Sequence, residues 1–312
     1  MHLLSKTAPL ALLAVMAASS LTGQDSETTF RADTRLVVLH ASVVDKSGKL
    51  LTALPRSAFK VFENKIEQPI KTFRREDVPV SLGLLVDNSG SMRNKRKRVE
   101  SAAIAALKAS NPRDEVTIVN FNDEPFQDVE FTSDIRKMEE GLTKLDSRGG
   151  TAMRDAVSAA IDYVKQKGKN DKKVLFVITD GNDTASTQIT LEKLVQKAHE
   201  SEILLYFIGL LNEEDKREAK KAKRAMEALA EASGGAAVFP AEVEEVDRVA
   251  LALANEIRNQ YIITYSPTNQ SLDGSFRTIK VVANGPGRPA VRTRSGYYAT
   301  SEAPRNSANL QR

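Results

Sequence analysis

One short segment of the chain carries a carboxylate and two hydroxyls at alternating positions, Asp87-x-Ser89-x-Ser91. A glycine between the two serines permits a tight turn in which the hydroxyls converge. Two more oxygen donors, Thr151 and Asp180, stand further along the chain, each beside a glycine. Carboxylate and hydroxyl oxygens are ligands of hard divalent cations. The residue types therefore predict a site for one divalent cation, with Mg²⁺ expected and Mn²⁺ or Ca²⁺ as alternatives.

The same residues stand where predicted strands end and a predicted helix begins. Residues 80–86 and 174–179 are nearly continuous apolar runs, which are typical of strands buried on both faces. Asp87 and Asp180 follow these runs directly, and Thr151 directly precedes a helical pattern. Ligands of open α/β sheets bind at the carboxyl ends of the parallel strands. We therefore expect the three loops to converge at one edge of a sheet.

Strands alternate with helical patterns throughout residues 79–259, which predicts a doubly wound, mostly parallel α/β sheet. The predicted strands cover residues 80–86, 116–121, 174–179, 203–210 and 236–239. The predicted helices begin near Val99 and further cover residues 152–167, 213–233 and 243–259.

The flanking regions, residues 35–78 and 260–298, have short alternating patterns and turn signals that predict antiparallel strands. Neither region alone has enough strands to bury a face. We therefore expect the two to pair into one small β-sandwich into which the α/β unit is inserted; two separate β appendages are the alternative. The polar residues 299–312 predict a disordered tail.

Residues 1–24 predict a signal peptide, because a weakly charged start precedes an apolar run over residues 8–18. That run is shorter than the roughly 18 residues of a membrane span, although an anchor that stays uncleaved is the alternative. We expect an exported chain that is secreted, periplasmic or associated with the cell envelope, with no transmembrane segment after cleavage.

Composition excludes several classes of function. The chain has no cysteine, which rules out thiol catalysis and Cys-ligated zinc. Its 45 basic and 41 acidic residues give a net charge of +4, and the basic stretches carry no interleaved aromatic residues, so nucleic-acid binding is not expected.

The set Asp87-x-Ser89-x-Ser91, Thr151 and Asp180 resembles the metal-ion-dependent adhesion motif of von Willebrand factor A domains and integrin inserted domains. The resemblance covers residues 79–259. The whole chain is similar to the bacterial "VWFA-related" proteins first noted in acidobacteria, through the segment FKVFE at 59–63, the segment EDVPV at 76–80 and the terminal RSGYY at 294–298.

This resemblance implies that the three hydroxyls bind the metal and that Asp87 and Asp180 bind it directly or through water. An open coordination position would accept a carboxylate from a protein partner. The chain would then be an adhesion or binding protein and not an enzyme. We place Arg93 and Lys95, from a basic run after the motif, and Asn182 on the rim of the site.

Two other functions stay open. A metal-dependent phosphatase or hydrolase would use Asp87 as its nucleophile, although Ser89 stands where such an enzyme would be expected to place a second carboxylate. A structural envelope protein would use the metal only to stabilise its fold.

Overall fold

A computed structural model describes residues 35–300 except residues 144–146, 182, 214 and 286. The predicted signal peptide and residues 301–312 lie outside this part of the chain. The helices are α1 Arg96–Lys108, α2 Ile135–Thr143, α3 Met153–Lys167, α4 Leu191–Ser201, α5 Lys216–Ser233 and α6 Val246–Arg258. The strands are β1 Val37–Val44, β2 Phe59–Glu63, β3 Ile66–Gln68, β4 Ile70–Arg74, β5 Val80–Asp87, β6 Glu115–Phe121, β7 Pro125–Thr132, β8 Lys172–Thr179, β9 Leu204–Gly209, β10 Ala236–Val238, β11 Tyr261–Tyr265, β12 Phe276–Ala283, β13 Ala290–Arg292 and β14 Gly296–Tyr298.

A six-stranded sheet in the order β10-β9-β8-β5-β6-β7 forms the centre of the α/β part. Every neighbouring pair is parallel except β6 and β7. Helices cover both faces, which explains why the central strands have almost no polar residues. Leu84 and Phe176 pack with α1, α2 and α6 on one face, and Leu85 and Val177 pack with α3, α4 and α5 on the other. The predicted doubly wound fold is confirmed.

Two antiparallel sheets, β13-β1-β11-β4 and β14-β12-β2-β3, flank this unit and share one apolar core. Strands from the two ends of the described chain pair directly, with Leu39 opposite Ile263 and Val61 opposite Val281. Ala299, which we had assigned to the tail, is buried and its N–H donates to the carbonyl of Ser275. The division of the chain into separate domains stays a prediction.

Sequence patterns missed several elements. Helix α4 begins at the N-cap Thr190 and buries Leu194 and Ala198, and α2 buries Met138 and Leu142. Strand β7 lies at the sheet edge and buries none of its side chains fully, so it has no apolar run to reveal it. The predicted starts of the last two long helices were three residues early, because Asp215 caps α5 and a 3₁₀ turn precedes α6. Within the described residues no helix is long and apolar enough to cross a membrane.

Candidate functional site

Asp87 is the last residue of β5 and is 2% exposed. The backbone N–H of Ser89 donates to its Oδ1 at 2.9 Å, and the hydroxyl of Thr179 donates to its Oδ2 at 2.5 Å. Thr179 ends the neighbouring strand β8, so the pairing of two parallel strands fixes the orientation of this carboxylate. The sequence reading did not identify Thr179 as a site residue, since a threonine inside an apolar strand has no distinctive signal.

Ser89, Ser91 and Asp180 form a connected line of oxygen atoms beside Asp87. The hydroxyl oxygens of Ser89 and Ser91 lie 3.1 Å apart, and the Ser91 hydroxyl donates to Asp180 Oδ1 at 3.0 Å. Ser89 and Asp180 are buried, whereas Ser91 is exposed. The two loops therefore converge as expected, with one hydroxyl facing the surface.

Lys95 lies inside this group of side chains. Its ammonium donates to Asp180 Oδ2 at 3.1 Å, and the two side chains are 4% and 1% exposed. We expected Lys95 on an exposed rim because it belongs to a basic run, but burial and an ion pair place it against a candidate ligand. A lysine at the N-cap of α1 opposes the helix dipole, and the ion pair with Asp180 offsets that unfavourable position.

The loop of Thr151 lies against the motif through backbone contacts. The Gly90 N–H donates to the carbonyl of Gly149 at 3.1 Å. Gly149 has φ +77°, and a Cβ there would lie 2.2 Å from an Asp123 carboxylate oxygen, so glycine is needed for both reasons. The Thr151 N–H donates to the hydroxyl of Thr184 at 3.1 Å. The structure thus brings Thr151, which is buried, to the same sheet edge.

Two further aspartates hold these loops together. Asp155, in the first turn of α3, accepts backbone hydrogen bonds from Thr187, Gln188 and Ile189. Asp183 accepts from the backbone N–H of Arg154 at 2.8 Å. The start of α3 is thereby tied to the chain that follows Asp180. Sequence reasoning missed these supporting roles, because an aspartate in a first helical turn is common for other reasons.

The structure describes only one of the two other predicted rim residues. Arg93 is exposed, and its guanidinium donates to the carbonyl of Ser147 at 3.2 Å. Asn182 lies outside the described residues.

The two carboxylates repel each other. Burial raises the pKa of Asp87 to about 6, and the negative charge of Asp180 adds to this rise, while hydrogen bonds from Thr179 and Ser89 oppose it. A cation between the carboxylates would offset both the cost of burying their negative charges and the repulsion between them. The described residues include no group of three or more His, Asp or Glu side chains suited to a metal. The donor set here is instead two carboxylates with neutral hydroxyls, which fits a hard cation that keeps part of its charge uncompensated.

Comparison with known proteins gives a family match for part of the chain. Residues 82–182 match the family of the von Willebrand factor type A domain. The chain contains a von Willebrand factor type A domain. No curated protein matches the sequence.

Several solved structures are similar in fold to this chain. A von Willebrand factor type A protein from Catenulispora acidiphila is 14% identical with a TM-score of 0.50, over 87% of this chain and 75% of that protein. Proximal thread matrix protein 1 from the mussel byssus is 12% identical with a TM-score of 0.50, over 63% of this chain and 51% of that protein. The von Willebrand factor domain of a type V pili tip protein from Porphyromonas gingivalis is 13% identical with a TM-score of 0.46, over 58% of this chain and 97% of that domain. At these identities the first two likenesses show the fold alone.

Proposed function

We propose that this protein is a binding protein whose von Willebrand factor type A domain holds a divalent cation and recognises an acidic group on a protein partner. The proposed ligands are Asp87, Ser89, Ser91, Thr151 and Asp180. The observation that carries the proposal is the line of oxygen atoms from Ser89 through Ser91 to Asp180, spaced 3.1 and 3.0 Å apart at the carboxyl edge of the sheet.

The charges of the described side chains favour an anionic partner. Asp87 and Asp180 supply two negative charges when ionised and Lys95 supplies one positive charge. A divalent cation would therefore leave the group with one net positive charge. Because the serine and threonine hydroxyls are neutral, they leave this positive charge in place. A carboxylate from a partner would neutralise it. A metal supplies the electrophilic centre for that carboxylate when it is bound.

The other residues position the ligands. Thr179 and the Ser89 N–H fix both oxygens of Asp87, whereas Lys95 neutralises the charge of Asp180 until a cation binds. Preorganised ligands lose little freedom when a cation binds, which favours affinity. Mg²⁺ is the expected ion, with Mn²⁺ or Ca²⁺ as alternatives, because each accepts oxygen-only donors.

We further propose that the chain works outside the cytoplasm. Support comes from the charged start, the apolar run and the small residues of the first 24 positions, a pattern typical of exported proteins.

The hydrolase alternative has less support from the geometry. Both oxygens of Asp87 accept hydrogen bonds, and the side chain is 2% exposed. A nucleophilic carboxylate needs one oxygen free to approach its substrate. A metal that serves only the fold is the other alternative, and the exposure of Ser91 argues for an accessible site instead.

The test is calorimetric titration of Mg²⁺, Mn²⁺ and Ca²⁺ into wild type, Asp87→Ala and the control Asp134→Ala, whose aspartate is exposed. We expect saturable binding that only Asp87→Ala loses. Cation-loaded protein is then offered surface-displayed, C-terminally amidated peptides whose last residue is Asp or Glu, with Asn and Gln as matched controls. Preference for the acids that EDTA abolishes supports the proposal. Cation binding without peptide binding indicates a structural metal, and turnover of a phosphate ester lost in Asp87→Asn indicates the hydrolase.

A further inference from the structure

A cavity of about 380 Å³ lies at the opposite edge of the parallel sheet, where β8 and β9 begin and where the antiparallel strands β1, β4 and β11 approach. This volume falls within the range of roughly 300–1,000 Å³ that is common for small-molecule sites. Its lining combines apolar and cationic side chains, among them Val38, His40, Arg74, Lys172, Leu204 and Ile262. The metal-site proposal uses none of these residues.

Lys172 is the central charged group of this cavity. It is 4% exposed, and its ammonium donates to the carbonyl of Ile257. Burial lowers the pKa of Lys172 to about 7 even though the negative charges of Asp77 and Glu256 oppose the change. Both acids are engaged elsewhere, Asp77 with Arg258 and Glu256 with Arg292. Among the residues that the structure describes, no carboxylate is in direct contact with this buried ammonium.

The pKa of His40 reflects the positive charges around the cavity. Burial lowers the pKa of His40 to about 3, and the charged groups that lower it further are the cations Lys172 and Arg294. Its ring is therefore neutral at neutral pH. His40 Nδ1 and Arg74 Nε are both buried without a hydrogen-bond partner among the described residues. Native structures leave few such polar atoms unpaired, so each calls for an explanation.

The acidic residues of the lining do not cancel this positive potential. Glu202 pairs with Arg294 at 3.2 Å, and Glu76 lies 3.9 Å from Arg74. The third acidic residue of the lining, Asp171, is exposed, so solvent screens its charge, while the buried Lys172 contributes its charge to the cavity. Val38, Leu204 and Ile262 provide an apolar wall beside it.

We propose that this cavity binds a small organic anion, with its acidic head at Lys172 and a short apolar chain against Val38, Leu204 and Ile262. The acid would supply the negative charge that the buried ammonium lacks. A carboxylate and a phosphate monoester share this chemistry. Since strands of both the α/β unit and the sandwich contribute to the lining, a bound anion would also contact both.

The experiment is a calorimetric titration of hexanoate, hexyl phosphate and the neutral hexanamide into purified protein in EDTA, so that the outcome does not depend on the metal site. We expect saturable binding of at least one anion and, because charged hydrogen bonds contribute about 1.5–3 kcal/mol, an affinity at least about tenfold above that of the amide. The anion that binds more tightly identifies the head group.

Three variants complete the test. Lys172→Met and Arg74→Gln are each expected to weaken anion binding, and Arg74→Gln tests the cavity with the lysine in place. The matched control is Lys173→Met, because that neighbour is half-buried, donates to the carbonyl of Asn170 and does not line the cavity. Equal binding of hexanoate and hexanamide, unchanged binding in both cavity variants, or no saturable binding of either anion would overturn the proposal.

Discussion

The two edges of the parallel sheet carry buried charges of opposite sign. At the carboxyl edge Asp87 and Asp180 lie side by side, and burial raises the pKa of Asp87. At the amino edge Lys172 is buried beside His40, and burial lowers the pKa of Lys172. In both places the ionised form of the side chain is the unfavourable one. Both groups stand at strand ends, so the apolar strand interiors separate them.

The difference between the edges lies in how far the protein neutralises its own charge. The acidic edge contains an internal counter-ion, since Lys95 pairs with Asp180. Within the described part of the chain, the ammonium of Lys172 donates to the carbonyl of Ile257 and pairs with no carboxylate. A charge left uncompensated in the interior is destabilising unless a ligand of opposite sign binds. Each edge is therefore expected to gain stability from a different class of ligand.

The largest expected effect is that of Lys95→Met. This change leaves Asp180 buried without its cation, and breaking a buried ion pair costs about 3–5 kcal/mol. We expect urea unfolding in EDTA to show that loss. Affinity for Mn²⁺ should rise, because the ammonium no longer competes for the same carboxylate.

The control for that change is Lys97→Met, an exposed lysine of the same helix. Weaker Mn²⁺ binding by Lys95→Met would show that Lys95 serves to orient Asp180, and the idea of an internal competitor would be wrong.

Lys172→Met should act in the opposite direction on stability. The pKa of Lys172 is about 7 in the folded protein against 10.5 in the unfolded chain. Between those values the unfolded chain binds more protons, so the free energy of unfolding of the wild type rises as pH increases from 7 to 10. We expect Lys172→Met to be more stable than the wild type at pH 7 by roughly 4 kcal/mol, with a flatter pH dependence. If the free energy of unfolding changed with pH in the same way in both proteins, the assignment of a buried charge to Lys172 would be contradicted.

The pH dependence of the acidic edge has the other sign. The pKa of Asp87 is about 6 in the folded protein against 3.8 in the unfolded chain. The folded state binds more protons between these values, so without metal the stability falls as pH rises from 4 to 6, by on the order of 2 kcal/mol. Asp87→Asn should remove this slope in EDTA. Mn²⁺ affinity of the wild type should decrease below pH 6, because protons then compete for the ligand; affinity that is independent of pH would count against Asp87 as a ligand.

Thr179→Val removes the hydroxyl that donates to Asp87 and keeps the volume of the side chain nearly constant. The loss of one buried hydrogen bond to a carboxylate is expected to cost about 1–3 kcal/mol of stability. Removal of a residue that orients a metal ligand should weaken cation binding by about 10–100-fold. Thr187→Val is a suitable comparison, since Thr187 is exposed and contacts Asp155 through its backbone N–H, which the substitution keeps. Equal cation affinity of both variants and wild type would show that the hydroxyl of Thr179 does not position the site.

The sequence identifies the acidic edge more readily than the basic one. Asp87 and Asp180 follow apolar strands, so their convergence is a consequence of parallel pairing that periodicity reveals. The partner of Lys95 is 85 residues away, and nothing local distinguishes this lysine from its basic neighbours. The cavity at Lys172 needs β1 and β11, which pair across more than 200 residues. Contacts of that range depend on tertiary packing, which local patterns do not encode.

The most direct test of the central claim is a crystal structure of the protein with Mn²⁺, recorded at an energy where manganese scatters anomalously. We predict an anomalous peak among Ser89, Ser91 and Asp180, with the Lys95 ammonium still beside Asp180 or displaced by the ion. A peak confined to other residues, or none at saturating Mn²⁺, would contradict the assignment of a cation site to this edge of the sheet.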